Sequence, residues 1–262
     1  MGRRKSRKGI CHICGRYTDL TFEHVPPRAA FNEHTVILVN FEEAIQAKPG
    51  ERPKGEFQQR GAGAYTLCAP CNNNTGAWYG KHFVEWCYQG MEIIARSGGT
   101  PTLINLHYVF PLSIIKQIIT MFFSANPETF GEANPELVRF VLNCRERHLS
   151  PKYRIFVYLN NSVHLRYEGI TARVSVGSSK MILLSEIAFP PFGYVMTIDS
   201  ESPDRRLVEI THFAQYEYKK FDVLTLQIPL LPVATHLPGD YRSEAEVTKA
   251  VEEAEGKNEK KE

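Results

Sequence analysis

The 262-residue sequence contains no uninterrupted apolar run of the roughly 18 residues that a membrane-spanning helix requires. The basic N-terminal stretch, Gly2 to Lys8, is not followed by an apolar segment, so the pattern of a secretory signal is missing. Beyond residue 100 there is no internal repeat, Walker loop, Rossmann fingerprint or nucleophile elbow. These absences predict a cytoplasmic protein without membrane contact, and they exclude the common nucleotide-binding and serine-hydrolase motifs from the second half.

Cysteine is scarce, with six residues in the chain, yet four of the six form two identically spaced pairs. Cys11–Cys14 and Cys68–Cys71 each have the two-residue spacer that lets both sulfurs face one ion, so together they predict one tetrahedral Zn²⁺ site. A reducing cytoplasm suits such thiolate ligands better than disulfides. The remaining Cys87 and Cys144 fall in predicted helices and are expected to be small buried side chains.

A metal shared by both pairs would bring residue 11 beside residue 71 and hold the intervening chain as a loop. That loop contains Glu23 and His24, and Asn72 directly follows the second pair. Carboxylate and amide oxygens are hard ligands suited to Mg²⁺ or Mn²⁺, whereas neutral imidazole can accept a proton from water near pH 7. The sequence therefore predicts a second metal environment beside the thiolates, with Asn74 as the alternative oxygen ligand to Asn72.

The order of these residues resembles the HNH, or ββα-metal, endonucleases, especially the four-cysteine group related to phage T4 endonuclease VII. The resemblance covers about residues 9 to 97 and implies a treble-clef zinc site, with His24 as general base. It also implies that Glu23 and Asn72 hold a catalytic Mg²⁺ or Mn²⁺. The middle Asn of that family, which supports the loop bearing the catalytic His, is not found in Gly61–Leu67. The segment from Pro27 to Leu67 is long for the family, and we expect it to contact substrate.

A helix is predicted from Asn72 to about Arg96, where Ser97-Gly98-Gly99 ends it. On this helix Thr75 and Tyr79 are expected on the same face as Asn72. Lys81 and His82 are candidates for phosphate contact, with exposed polar positions as the alternative. The apolar stripe of the helix consists of Tyr79, Phe83, Cys87, Met91 and Ile94.

Beyond residue 100 the patterns predict two helices followed by mainly antiparallel strands. The first helix covers Pro111–Phe123, and the second is capped by Asn134 and ends near Arg145. A hairpin turn is predicted at Asn160–Ser162, and Pro190–Gly193 is predicted to interrupt the sheet. The predicted strands are Tyr153–Leu159, Val163–Tyr167, Ile170–Val176, Lys180–Ala188, Tyr194–Asp199 and Val223–Ile228.

We therefore expect an α+β protein with four parts. Residues 1–8 form a basic flexible arm, and residues 9–100 form an HNH-like zinc domain with the treble-clef ββα-metal fold. Residues 101–240 form an α+β domain of undetermined role, built from the helical pair and the antiparallel strands. Residues 241–262 form a charged tail, which is either a frayed helix or disordered.

The formal net charge is +2, but basic side chains are concentrated at the N-terminus. Such an arm adds counterion-release affinity for nucleic acid, most simply DNA, although a merely solvated terminus is the alternative. The residues predicted to bind nucleic acid are Arg3, Arg4, Lys5, Arg7, Lys8 and Arg28.

Three classes of function remain open at this level. The first is a metal-dependent DNA endonuclease with one structural zinc ion. The second is a zinc-dependent nucleic-acid-binding module without catalysis. The third is a structural or assembly protein in which residues 101–240 supply the interface for a homodimer or a protein partner.

Overall fold

The computed structural model describes residues 7–39, 43, 54–98, 102–174 and 181–258. Strand β1 (Arg7–Ile10) pairs with β2 (Tyr17–His24), and β2 pairs on its other side with β5 (Gly63–Cys68), all antiparallel. The connection from β2 to β5 contains a two-stranded ribbon of β3 (Val36–Leu38) and β4 (Glu56–Gln58). Both cysteine pairs therefore lie at or next to strand ends of the β1–β2–β5 sheet.

The helix predicted after the second cysteine pair is present and begins earlier than expected. Helix α1 (Ala69–Thr75) has a proline in its first turn, where the fixed φ of that residue favours helix initiation. A π-helical turn, Gly76–Gly80, leads directly into α2 (Lys81–Arg96). Of the predicted apolar stripe, Tyr79, Phe83 and Cys87 are buried, and the two later members are half-buried.

Strand β6 (Thr102–Val109), which periodicity did not predict, leads into helix α3 (Pro111–Ala125). Every residue of α3 from Pro111 to Ser124 is buried. A helix that is apolar on all sides is found inside a protein, because no face of it gains from contact with water. Helix α3 is the central element of the fold, and it contacts the N-terminal sheet, the helices and the second sheet.

Two short helices follow α3, namely α4 (Phe130–Ala133) and α5 (Pro135–Leu142). Asn134 occupies the residue before α5, as predicted, but its side chain does not cap the helix. Its amide donates to the Phe130 carbonyl and accepts the Tyr153 hydroxyl instead. Because α5 ends at Leu142, the prediction that Cys144 is helical and buried is wrong, and this residue is half-buried beyond the helix.

The second sheet has five strands: β7 (Tyr153–Leu159), β8 (Arg166–Val174), β9 (Met181–Phe189), β10 (Phe192–Ile198) and β11 (Val208–Glu209). Their order across the sheet is β11–β7–β10–β9–β8, with antiparallel neighbours throughout. The predicted hairpin at Asn160–Ser162 is wrong, because β10 and β9 lie between β7 and β8, the strands that flank this turn. The prolines at 190 and 191 form the two-residue turn of the β9–β10 hairpin and do not interrupt the sheet, since turn residues need no ladder N–H.

The last strand, β12 (Asp222–Pro229), follows a 3₁₀ turn at Thr211–Gln215 and pairs antiparallel with β6. Helix α6 (Glu244–Asn258) lies within the predicted charged tail. The architecture is therefore α+β with antiparallel sheets, as predicted. None of the helices in the described ranges has both the length and the apolar character that crossing a bilayer requires.

The expected boundary at residue 100 does not separate two cores. One hydrophobic cluster runs from Cys11 and Leu67 through α3 to Phe192 and Ile228. Polar contacts cross the same junction: the His12 ring Nδ1 lies 3.1 Å from the Phe123 carbonyl oxygen, and the Thr66 hydroxyl donates to Ser124 over 2.9 Å. The N-terminal sheet is therefore packed on α3 as part of the main core.

Two residues of the predicted flexible arm, Arg7 and Lys8, lie in a strand. Arg7 and Lys8 are exposed but belong to β1, where they pair with Leu20 and Asp19 in the antiparallel ladder. Main-chain pairing explains the difference, because an exposed charged side chain is compatible with an edge strand. Arg3, Arg4 and Lys5 lie outside the described residues.

Candidate metal centre and the adjoining cleft

The four paired cysteines converge on one point. Their sulfur atoms all lie within 4.8 Å of one another, although the two pairs are more than 50 residues apart in sequence. Three of the side chains are buried, and Cys14 is half-buried. Antiparallel pairing of β2 with β5 causes this convergence, because it sets Cys68 opposite Leu20, close to the turn that carries the first pair. The cluster can hold a metal ion such as zinc.

Electrostatic interactions within the cluster favour ionisation of one thiol, that of Cys11, at a lower pH than that of an ordinary cysteine. A hydrogen bond with Cys71 lowers the pKa of the Cys11 thiol, and main-chain N–H groups lower it further. The same contact raises the pKa of Cys71, as expected when two neighbouring thiols cannot both lose a proton. The Arg16 guanidinium donates from Nε to the Cys14 sulfur over 3.5 Å and adds positive charge beside the thiolates.

A cleft of about 530 Å³ opens beside the cysteine cluster. The end of β2 and the loop after it form one wall, and the continuous α1–α2 helix forms the other. Glu23, His24 and Asn72, the three predicted catalytic residues, all line this cleft. The full lining is Phe22, Glu23, His24, Pro27, Arg28, Ala29, Asn72, Gly76, Gly80, Lys81, Val84, Glu85 and Gln117.

One stripe of the continuous α1–α2 helix faces the cleft. Asn72, Gly76, Gly80 and Val84 line it at intervals of four residues. A Cβ atom added at either glycine would meet nothing within 4 Å, so these two positions leave the wall open. The expectation that Thr75 and Tyr79 share the face of Asn72 is wrong: both are buried, and their hydroxyls donate to main-chain carbonyls.

Glu23 is a buried carboxyl group without a partner. It is 6% exposed and makes no hydrogen bond or ion pair with any part of the chain that the structure describes. Burial alone raises its pKa to about 8. The pKa of Tyr167 is raised mainly by burial and to a smaller extent by the charge of Glu23. The Tyr167 hydroxyl is also buried and has no hydrogen-bond partner among the described residues. An ionised Glu23 at neutral pH therefore needs a cation, and the described residues supply none.

His24 is held in one orientation by the main chain. Its Nε2 lies 3.0 Å from the Arg60 carbonyl oxygen, and because a carbonyl can only accept, Nε2 carries the proton. Nδ1 is thus the nitrogen with the free lone pair. Burial lowers the pKa of His24 below its usual value, the Arg60 carbonyl opposes this shift, and the charge of Arg28 adds to it. The ring is therefore neutral near pH 7 and can act as a base.

Asn32 joins the loop after β2 to the segment that precedes β5. This side chain is fully buried; its amide donates to the Pro26 and Ala62 carbonyls over 2.7 and 2.8 Å and accepts the Ala62 N–H over 2.6 Å. Gly61 has a φ of +95°, and a Cβ there would lie 2.1 Å from the Asn32 carbonyl oxygen. Sequence reasoning missed Asn32 because it looked for an asparagine shortly before the third cysteine.

The other predicted site residues divide between the cleft and its surroundings. Asn72 donates from Nδ2 to the Thr21 hydroxyl over 2.9 Å, which leaves its Oδ1 without a donor among the described residues. Arg28 is exposed at the rim of the cleft. Asn74, the alternative ligand, is exposed outside the lining. His82 is also outside the lining and stacks on Phe110, with a centroid separation of 3.9 Å.

Two further residues near the site were not predicted, namely Gln117 of α3 and Tyr167 of β8. Both lie beyond the region that resembles the HNH family. Gln117 lies in a mainly apolar run, Ile114–Phe123, but Lys116 and Thr120 are polar residues of the same run, so the sequence does not single it out. No local pattern identifies Tyr167.

Comparison with protein-family models, with curated proteins and with solved structures finds no match to this chain. The likeness to HNH endonucleases therefore depends on the motif residues themselves. The structure adds the geometry of the cysteine cluster and of the cleft to this motif.

Proposed function

We propose that this protein is a metal-dependent, HNH-type endonuclease that hydrolyses phosphodiester bonds in DNA and uses zinc as a structural ion. The observation that carries the proposal is the shared cleft of Glu23, His24 and Asn72 beside the four-cysteine cluster. A zinc ion at the thiolates would hold the turn between β1 and β2 against the end of β5 and the start of α1. It would thereby keep the two cleft walls at a constant separation.

The donor set in the cleft suits a hard divalent cation. Glu23 offers a carboxylate and Asn72 offers an amide oxygen, and neither oxygen has a competing donor among the described residues. These residues would hold Mg²⁺ or Mn²⁺. When bound, such an ion supplies electrostatic stabilisation for the charge that develops on the phosphate and on the leaving oxygen.

His24 is the base in this proposal. Its Nδ1 lone pair takes a proton from the attacking water, and the Arg60 carbonyl keeps the ring oriented through Nε2. The lowered pKa keeps the imidazole neutral at pH 7, so the base is available without prior deprotonation. Asn32 stabilises the loop on which Arg60 and Ala62 lie.

Nucleic acid as the substrate is supported by two basic side chains of the cleft lining, Arg28 and Lys81. Arg28 is exposed, whereas Lys81 lies 3.8 Å from the Glu85 carboxylate, which lines the same cleft. Phosphate contacts of basic side chains give affinity with little sequence preference.

The test is nicking of supercoiled plasmid in Mg²⁺ or Mn²⁺ by wild type and by His24→Ala. We expect the variant to be slower by roughly 10² to 10⁴, the usual contribution of a general base. Zinc content and DNA affinity should remain unchanged. His34→Ala is the matched control, since His34 is exposed and does not line the cleft.

Equal rates for wild type and His24→Ala would contradict the proposal, as would wild type that cleaves no DNA with any divalent ion. The second candidate is then a zinc-dependent nucleic-acid-binding module without catalysis. The raised pKa of Glu23 favours this candidate, because a protonated carboxyl does not hold a cation. DNA binding that is lost with zinc but is insensitive to Mg²⁺ would support it.

A further inference from the structure

We infer that Gln117 is a third oxygen ligand of the divalent ion in the cleft, supplied by the central helix from outside the HNH-like region. This inference rests on the proposed function, because it assumes that the ion binds at Glu23 and Asn72. It adds a residue that the motif does not contain. It also links residues beyond 100 to the chemistry of the cleft.

The position of Gln117 carries the inference. The side chain is only 2% exposed, yet it lines the same cleft as Glu23 and Asn72. Its Oε1 is buried and has no hydrogen-bond partner among the described residues. An unpaired buried polar atom loses its hydrogen bonds to water without replacing them, so a polar side chain kept there without a donor lowers stability.

The three side chains share one chemical property. Glu23, Asn72 and Gln117 each carry an oxygen that accepts no hydrogen bond within the described structure, and the three residues line the same cleft. Carboxylate and amide oxygens are the protein ligands that Mg²⁺ and Mn²⁺ prefer. Rotation about the last torsion of Gln117 exchanges the two ends of its carboxamide, so the oxygen can be presented to the cleft without movement of α3.

A second polar residue of α3 shows that burial without a hydrogen-bond partner does not by itself make a side chain a candidate metal ligand. Ser113 lies one helical turn before Gln117, is fully buried, and has an unpartnered Oγ. It does not line the cleft. Ser113 therefore serves as a control that shares the helix, the burial and the missing hydrogen bond, but not the access to the ion.

The experiment measures Mn²⁺ binding to zinc-loaded protein without DNA, from the loss of the free-ion electron paramagnetic resonance signal. We expect Gln117→Leu to weaken Mn²⁺ binding by about 10- to 100-fold. Gln117→Glu, which retains an oxygen ligand, should bind within a few-fold of wild type, and Ser113→Ala should match wild type. Without the ion, Gln117→Leu should melt no lower than wild type, because it removes an unpaired acceptor.

The possible results separate this inference from the proposed function. If Asn72→Ala weakens Mn²⁺ binding and Gln117→Leu does not, the third ligand is refuted and the proposed function stands. If Gln117→Leu weakens Mn²⁺ binding but wild type never cleaves DNA, the ligand assignment stands and the endonuclease does not. If wild type binds no Mn²⁺, both the third-ligand inference and the proposed metal-dependent function are refuted.

Discussion

Two glutamates of this protein are both buried but have opposite surroundings. Glu186, in the second sheet, is fully buried and receives hydrogen bonds from the Arg166 guanidinium, the Tyr158 hydroxyl and the Gly239 N–H. Glu23, at the end of β2, receives none from the described residues. Burial of an ionised group is costly unless it is paired and hydrogen-bonded. The fold meets this requirement at Glu186 and leaves it unmet at Glu23.

The difference separates a structural carboxylate from a candidate functional one. Arg166 also donates to the Thr235 and Asp240 carbonyls, so the ion pair attaches the segment after β12 to the second sheet. No other residue is needed to complete that network. Around Glu23, by contrast, there is room for an ion. Gln117 and Tyr167 each have a buried oxygen without a hydrogen-bond partner among the described residues, and Gly76 and Gly80 place no side chain in the cleft.

The largest effect is expected from the cysteine cluster. Cys68→Ser should lose zinc and unfold the N-terminal sheet, because structural zinc sites contribute on the order of 10 kcal/mol to folding. The contrast between the glutamates should then disappear, since Glu23 would no longer be buried. Circular dichroism, melting temperature and elemental analysis check this, with Cys144→Ser as the control outside the cluster. A Cys68→Ser variant with the wild-type melting temperature would contradict the role of the cluster in stabilising the N-terminal sheet.

Removing the partner of Glu186 should be the next largest effect. Arg166→Met leaves a buried carboxylate without its cation and should lower the free energy of unfolding by about 3–5 kcal/mol. Arg154→Met is the matched control, because its ion pair with Glu209 is partly exposed and should contribute only about 0–1 kcal/mol. Urea unfolding measures both. If the two variants lose equal stability, the Glu186 network is not the structural element described above.

The smallest of these effects concerns the pH dependence of stability at Glu23. Its pKa is about 8 in the folded protein, above that of an unfolded glutamate, so the folded state binds more protons between these values. The contribution of the Glu23 carboxyl to the free energy of unfolding is therefore complete at acidic pH, where the group is protonated in both states, and is lost as pH rises toward 8. Between pH 5 and pH 7 the loss should be about 2–3 kcal/mol, and Glu23→Gln should lack it.

The measurement is urea unfolding of wild type and Glu23→Gln without Mg²⁺ or Mn²⁺, at several pH values. The difference in free energy of unfolding between the two proteins isolates residue 23, because all other titrating groups are shared. A difference that stays constant from pH 5 to pH 7 would show that Glu23 is ionised in the folded protein and has a partner. Adding Mn²⁺ should reduce the slope if the ion binds the carboxylate.

Several elements were predictable because their signals are local. The C-x-x-C spacing indicates the metal ligands, since the two sulfurs of each pair are brought together by a turn of a few residues. The apolar repeat after Asn72 and the apolar run after Pro111 indicate α2 and α3, because helical periodicity is a property of neighbouring residues. Strand β7 was predicted with the bounds that the structure has.

The order of strands in the second sheet was not predictable in the same way. Asn160–Ser162 has the composition of a hairpin turn, yet β7 pairs with β10 and β11. Strand pairing depends on side-chain contacts between distant segments, and a turn-like sequence indicates only that the chain changes direction. Similarly, β6 became a strand through its pairing with β12.

For the cleft, the motif sufficed to name Glu23, His24 and Asn72 and to suggest that zinc would bring them together. It contained no information on which residues surround them, since Asn32, Gln117 and Tyr167 have no fixed spacing from the motif. Tertiary packing decided that Glu23 is buried without a partner while Glu186 is paired, because hydrogen-bond satisfaction depends on groups that are distant in sequence. The types of ligand are a property of the sequence, whereas their exposure, partners and proton affinities exist only in the folded chain.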